Sequence, residues 1–405
     1  MSWQTNLFAV TAASFIGFTG FTLVMPFLPL YFQQLGVSDV GEVALWSGLS
    51  LGVTPAVTAL MAPVWGRLAD RVGRKIMVER SLVSFVVVMA ALAFVTEPWH
   101  VLALRAVQGL FAGYGALTLT MAADSAPPGR MAYAIGVVQT AQRLGPALGP
   151  VIGGAVAQIV GLRRAFLVTS AFYVAAAVLV FVMYREPRPG AAAEGEREAR
   201  VTFRNVLAFE NFLLLMAVVF MLQFVDRSFG PVLPLYVAAL GTPVERVPLM
   251  SGVLFSLAAG AAAVGNQIAA GLLRARTPRR IIAGAAAAGS LASFVYVVAG
   301  TTGVLFPGTV LFGLAIGIAT TAAYTAAGSV IPARARGAGF GLLTTASLTG
   351  LALSPIASGL LGAVNIRAVF LLDTIALLVL ATIVRRLMVT AGAAAASAPS
   401  PGQSL

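Results

Sequence analysis

A few charged side chains in this sequence stand inside long apolar runs, where ordinary solvation cannot account for them. Asp226 and Arg227 sit side by side within the run 209–238, and Gln223 and Gly230 share a helical face with Asp226. Arg105 opens an Arg-x-x-Gln-Gly string with Gln108 and Gly109, and Arg143 follows Gln139 by one turn in a glycine-rich run. Asp373 lies in the last apolar run, and Asp124 closes the fourth. A charge in apolar surroundings is costly unless it is paired, hydrogen-bonded or discharged. A carboxyl so placed can bind and release a proton, and a guanidinium can hold an anion or a carboxylate. Asp226 thus reads as a proton-binding acid or as half of a structural ion pair. Helical neighbours diverge by about 100°, so its expected partner is an arginine on another helix. Arg105 reads as a buried functional group or as an interfacial residue snorkelling outward. Asp373 is a second proton-binding candidate, expected near the outer interface. Asp124 is expected to pair with the Arg-rich first loop.

Other chemistries lack their residues. There is no cysteine, and His100, beside Trp99 in a connection, is the single histidine. Thiolate or imidazole metal sites therefore have no ligand set, and no metal or cofactor is expected. No Walker loop, His-Glu-x-x-His string or Ser-His-Asp set argues for an enzyme. The net charge of +12 suggests nucleic acid at first sight. The basic residues, however, lie in short connections between apolar runs, which is a topology pattern. No nucleic-acid partner is expected.

The elements that must hold these residues are transmembrane helices. Only 10% of the 405 residues are charged and 59% are hydrophobic, against about 25% charged in a soluble domain. A spanning helix needs roughly 20 apolar residues. Runs of that length lie at 7–33, 45–65, 76–95, 101–122, 132–160, 165–184, 209–238, 248–272, 280–299, 304–327, 337–361 and 367–387. They are apolar all round, which predicts an all-α chain rather than a barrel of short alternating strands. The first run follows no basic segment and is too long for a signal peptide, so it is expected to remain as a span. Eighteen Arg and Lys lie in the connections on one side, among them Arg67, Arg130, Arg185, Arg274, Arg334 and Arg386. Four lie on the other, Arg163, Arg164, Arg246 and Arg367. That bias predicts an even number of spans with both termini in the cytoplasm. The expected organisation is a first bundle at 1–184, a cytoplasmic linker at 185–208, a second bundle at 209–388 and a disordered cytoplasmic tail at 389–405. The linker carries Pro187, Pro189 and mixed charges, and the tail is rich in Ala, Ser and Pro.

An internal repeat runs at an offset of 205 residues. Pro26-Phe-Leu-Pro29-Leu-Tyr31 with Leu35-Gly36 returns as Pro231-Val-Leu-Pro234-Leu-Tyr236 with Leu240-Gly241. Gly66, Arg71, Arg74 and Lys75 return as Gly271, Arg276, Arg279 and Arg280, and Gly136, Gly145 and Pro150 as Gly341, Gly350 and Pro355. The offset covers six spans, an even number, so both halves point the same way. Parallel repeats about an axis along the membrane normal, with a solute site between them, are a transporter architecture.

Three strings carry a family resemblance. The first basic loop reads Gly66-Arg-Leu-Ala-Asp70-Arg71-Val-Gly73-Arg74-Lys75. A topology loop alone does not need glycine and aspartate at fixed places. This string resembles the signature loop of the major facilitator superfamily. The resemblance implies that Asp70 docks on the start of the eleventh span near Gly337, as a latch assisted by Arg71, Arg74, Lys75 and Asp124. Gly66 is expected to let a helix end close by, and Gly73 to permit the turn. Arg105-Ala-Val-Gln108-Gly109 is similar to the family's fourth-span motif. Gly136-x8-Gly145-x3-Gly149-Pro150-x2-Gly153-Gly154 resembles the fifth-span motif of drug:proton antiporters, where it serves as hinge and seal. Gly145, Gly149 and Gly153 form a stripe at i, i+4 and i+8 for close helix packing.

With Gly20, Pro26, Pro29 and Trp46-Ser47-Gly48, the opening hundred residues are most similar to bacterial multidrug efflux antiporters of the fosfomycin and deoxycholate type. The resemblance implies twelve spans in two six-helix bundles in the bacterial inner membrane. It implies a monomer that exchanges protons for small amphipathic compounds among membrane lipids. It also places the first, fourth, seventh and tenth spans around the cavity. Candidate cavity residues are Phe18, Phe21, Met25, Gln108, Tyr114, Met121, Gln139, Arg143, Gln223, Arg227 and Tyr324. Proton-coupling candidates are Asp226, Arg105 and Asp373. Arg105, Arg143 and Arg227 against Asp226 suggest a cavity that prefers anionic or zwitterionic solutes. The first span lacks the acid found in many antiporters, which keeps a metabolite uptake permease or uniporter as the alternative.

Overall fold

The computed structural model describes residues 2–127, 129–186, 209, 211–332 and 336–389. Most of the expected linker and nearly all of the expected tail fall outside these residues. The first span is built from Trp3–Leu23 and Leu28–Gln34, the second is Val40–Val72, the third Arg74–Leu92 and the fourth Pro98–Phe111 plus Tyr114–Ser125. The fifth is Met131–Val160, the sixth Leu162–Met183, the seventh Phe212–Ala239 and the eighth Val247–Ala275. The ninth is Pro278–Val298, the tenth Thr302–Val330, the eleventh Arg336–Val364 and the twelfth Ile366–Leu387. No strand occurs among the described residues. Eleven of these spans are long and apolar enough to cross a membrane. The third is the exception, because Lys75, Glu79 and Arg80 crowd its first turns. Helix is the expected solution, since it satisfies backbone groups within the segment where lipid supplies no partner.

Two spans expected to be continuous are broken. Pro26 has no N–H to give and crowds the preceding turn, and the first span opens into a turn between Leu23 and Leu28. Its repeat partner Pro231 leaves the seventh span continuous. The fourth span breaks at Ala112 and Gly113, where Gly113 takes φ +114°, a region that disfavours side chains. The freed carbonyls are served from neighbouring spans. Leu110 accepts from Trp65 Nε1 at 2.6 Å, Phe111 from Arg80 Nη2 at 3.2 Å, and Gly109 from Thr58 at 3.3 Å. The Arg80 guanidinium lies 3.7 Å from the Trp65 ring centre. A cation thus faces the negative end of a half-helix.

The two halves repeat each other's hydrogen bonds. Tyr31 donates to the Leu92 carbonyl and Tyr236 to the Tyr296 carbonyl, each at 2.6 Å. Asn6 clamps the backbone of Arg185, accepting its N–H at 3.1 Å and donating to its carbonyl at 2.8 Å. Asn211 clamps Val389 in the same way, both bonds at 3.0 Å. Arg163 reaches the Ala93 carbonyl as Arg367 reaches that of Ala299. Lys75 donates to the Phe181 carbonyl and Arg279 to that of Arg385, both at 2.9 Å. Equivalent bonds at equivalent places describe two six-helix bundles related by a pseudo-twofold along the spans.

The bundles meet along two seams, second span against eleventh and fifth against eighth. Both seams are backbone against backbone, because glycine removes the side chain that would hold the helices apart. Gly48 packs on the Pro355 carbonyl and Gly359, and Gly252 packs on Pro150. Gly154 meets Pro248 and Leu249, just as Gly359 meets Ala44. Both seams occupy the end of the spans away from the Arg-rich loops. On the basic side, a Cβ at Gly66, Gly136, Gly260, Gly271 or Gly341 would meet nothing within 4 Å. Among the described glycines, every contact between the halves lies toward the far end, and none lies at the basic end.

Candidate transport cleft

The cleft is a consequence of those seams. Gly230 on the seventh span lies against Leu51 and Met25 of the other half, where a Cβ would come within 3.1 and 3.6 Å of them. Asp226 lies one turn before Gly230 on the same face, toward the open end. Its side chain and that of Arg227 are each 31% exposed, and Arg227 Nε lies 3.2 Å from Asp226 Oδ2. The partner of Asp226 is thus its sequence neighbour, not an arginine on another helix. The 100° divergence expected to forbid this instead spoils the geometry: the ions touch, but Arg227 Nε has no hydrogen-bond partner. The pair is an ionic contact at the roof of an open cleft.

Arg143 and Gln139 are exposed. They lie seven and eleven residues before Pro150, whole turns along the face that meets the eighth span. Both are exposed there, whereas Pro150 and Gly154 farther along the same face are packed on the eighth span. Arg143 has no ion pair among the described residues. Phe18, Phe21, Met25, Gln223, Arg227 and Tyr324 are partly buried. Phe18 also packs on Tyr114, ring centres 5.4 Å apart. The fifth-span motif has two faces. Gly145, Gly149 and Gly153 seat on the first span at Thr19, Thr22 and Leu23, inside one half. Pro150, Val151 and Gly154 face the other half, and Val151 N–H donates to Ser256 at 3.0 Å.

Three expected cavity residues lie elsewhere. Gln108, Tyr114 and Met121 are buried inside the first bundle, covered by neighbouring spans of their own half. Arg105 is 2% exposed, so it does not snorkel to an interface. It donates to Gln108 Oε1 at 2.8 Å, and its carbonyl accepts from Thr54 at 2.9 Å. Asp373 is not interfacial either. It is fully buried, with Oδ2 2.5 Å from the Ser228 hydroxyl on the seventh span and Oδ1 without a partner. The twelfth span turns Asp373 inward beside Val369, Phe370 and Leu377, which share its buried stripe.

At the basic end, Arg74 pairs with Asp124, and the Arg74 N–H donates to Glu186 Oε1 at 2.7 Å. Lys75 lies 3.7 Å from Glu79. Gly73 makes the turn with φ +96°. Gly66 does not end a helix, because the second span continues to Val72. The docking of Asp70 near Gly337 falls outside the described residues. Trp65, Arg80, Asn6 and Asn211 carried no motif and escaped sequence reasoning. The 205-residue offset between Asn6 and Asn211 was the available signal.

Residues 10–348 match the Major Facilitator Superfamily. The chain belongs to that superfamily. Among facilitator relatives, a multi-drug resistance efflux pump PmrA homolog of Lactococcus lactis is 35% identical over 258 residues, 63% of each chain. Multidrug resistance protein MdtG of Serratia proteamaculans is 33% identical over 283 residues, 70% of this chain and 69% of that one. The chain thus spans just under two thirds of the length of the first of these relatives. A bacterial homolog of the human lysosomal transporter Spinster, solved inward-facing and occupied, superposes with a TM-score of 0.78 at 18% identity. The match covers 93% of this chain and 95% of that one. The nucleoside transporter NupG superposes at 0.73 with 13% identity, over 94% and 100%. The last two show the fold alone. This facilitator is a multi-pass membrane protein.

Proposed function

We propose that this facilitator is a monomeric, proton-coupled antiporter that exports small amphipathic compounds by alternating access. We place it in a bacterial cytoplasmic membrane, with the basic end, both termini and the 185–208 linker in the cytoplasm. The bundles 1–184 and 209–388 then rock as units. The observation that carries the reading is one cleft, sealed by glycine at the far end and open at the basic end, with Asp226 and Arg227 at its roof. The relatives named as efflux pumps support the direction and the class of cargo.

Asp226 is the leading proton carrier. Bound to a proton, it releases Arg227; ionised, it holds it. Proton occupancy and the charge offered to a solute thereby change together. Asp373 is the second carboxyl, tied through Ser228 to the same span. Arg105 sets the field of the first bundle rather than carrying a proton. Arg143 leaves a positive surplus in the cleft, which favours solutes with an anionic group. In the latch reading, Asp70, Arg71, Arg74, Lys75 and Asp124 hold the basic end when it closes. The acid-free first span favours a second reading, a uniporter or uptake permease. Proteoliposomes with an imposed pH gradient separate the two. Gradient-dependent flux that disappears in Asp226→Asn, with folding intact, supports the antiporter. Flux indifferent to the gradient removes it.

A further inference from the structure

The first and fifth spans both start at the basic end, and a cavity of about 300 Å³ lies between them there. Trp3, Phe8 and Thr11 line it from the first span, and Arg130, Tyr133 and Val137 from the fifth. Both spans rise from the same side, so the lining is graded by depth. Trp3 and Arg130 stand at the mouth. Val137 lies about 10 Å deeper than Arg130, and Thr11 about 12 Å deeper than Trp3, at 1.5 Å per residue. The mouth is cationic. Arg130 has no ion pair among the described residues, no acidic residue lines the cavity, and neither span has one in its first turn. Tryptophan and tyrosine beside an arginine at a helix start are the residues that settle at a membrane interface. Deeper in, the Thr11 hydroxyl is shielded from solvent and has no hydrogen-bond partner. Buried polar groups are normally paired, and each exception needs a physical reason.

The cavity continues into an apolar track. Tyr133, Val137, Leu144 and Leu148 recur at i, i+4, i+11 and i+15 and so share one face of the fifth span. That face lies about a third of a turn from the Gly145–Gly149–Gly153 face packed on the first span, and equally far from the Pro150–Gly154 face packed on the eighth. Tyr133, Leu144 and Leu148 are exposed on it, as Phe8 is on the first span. Thr140, within the stripe, turns its hydroxyl onto the Gly136 carbonyl of its own helix at 2.8 Å and asks nothing of its surroundings. Exposed, apolar and internally satisfied is the character of a surface in contact with acyl chains. From Tyr133 to Leu144 the track climbs about 16 Å, close to the depth of one leaflet.

We propose that this cavity holds one anionic phospholipid from the leaflet on the basic side. Arg130 takes the phosphate, the Thr11 hydroxyl donates to an ester carbonyl below it, and an acyl chain follows the stripe from Tyr133 to Leu144. Cation, donor and apolar track then meet the parts of a glycerolipid in their order of depth. At the 205-residue offset Thr11 becomes Met216, so the second half lacks the inner donor and the expected stoichiometry is one. The site is outside the transport cleft and stands whether or not transport is proton-coupled.

Native mass spectrometry of the purified full-length chain tests it, with phosphatidylglycerol and phosphatidylcholine of matched acyl chains added in equal amounts. The expected result is one tightly retained phosphatidylglycerol in preference to phosphatidylcholine. Arg130→Gln should reduce that preference roughly fivefold. Thr11→Val keeps the shape and removes the donor to an ester that both lipids carry. It should weaken retention of both roughly two- to tenfold and leave their ratio unchanged. Arg67→Gln, an exposed arginine of the first basic loop outside the cavity, should alter neither quantity. Inorganic phosphate, which has the charge but no chain, should not displace the lipid. Equal retention of the two lipids by the parent protein overturns the proposal. So does a preference that Arg130→Gln leaves intact, an equal loss in Arg67→Gln, retention that Thr11→Val leaves unchanged, or displacement by phosphate alone.

Discussion

Gly252→Val should push the protein from its far-end-closed state toward the opposite opening. A Cβ at Gly252 would lie 2.9 Å from the Pro150 carbonyl carbon and 3.2 Å from Val151 Cα, with the Pro150 oxygen nearer still. Ordinary carbon contacts sit at about 3.5–4.0 Å. The colliding atoms are all backbone, so no rotamer change relieves them and the fifth and eighth spans must part. Overpacking of this kind costs about 1–3 kcal/mol. The adjacent Val151–Ser256 bond adds about 1 kcal/mol if it is lost. These costs fall only on the state in which the seam is closed. A differential of about 1–4 kcal/mol shifts the ratio of states roughly 5- to 700-fold. The chain has no cysteine, so spin labels can be placed without background. Labels at Ile159 and Val244, exposed residues at the far end, report the seam by pulsed dipolar distances in nanodiscs. The expected outcome is a longer distance population that is minor in the parent protein. Gly284→Val is the control, since a Cβ there meets nothing within 4 Å. Identical distributions in Gly252→Val and the parent, at equal thermal stability, would refute the argument that glycine sets this equilibrium.

The remaining outcomes follow from single contacts. Asn211→Ala removes both bonds to Val389 and should cost about 1–3 kcal/mol, read as a lower melting temperature; Asn6→Ala should behave alike in the first bundle. Gly113→Ala forces an alanine to φ +114° and should cost about 1–2 kcal/mol, with faster amide exchange at the fourth-span break. Trp65→Phe keeps the ring but loses the donor to Leu110, so exchange should rise at the same break while the rest of the second span is unmoved. Asp124→Asn breaks a partly exposed ion pair with Arg74 worth at most about 1 kcal/mol, so its melting temperature should barely change.

Composition and period alone determined that this chain is a bundle of membrane helices in two parallel halves. The reason is that lipid admits only helices and closed barrels, runs apolar all round exclude the barrel, and a repeat of six spans preserves direction. Pairings across the chain were not legible. Nothing local says that Arg105 is sealed away while Arg143, in an equally apolar run, faces an open cleft. That depends on which neighbouring spans pack over each face. The glycine stripe was readable as a packing face, but only the folded chain assigns Gly149 to the first span and Gly154 to the eighth. Adjacent residues of one motif point at different neighbours. The break at Gly113 was hidden for a similar reason: Trp65 and Arg80, distant in sequence, supply the partners that let a helix stop inside the membrane. Periodicity records which residues avoid water, and the spatial arrangement of twelve such helices decides which of them meet each other.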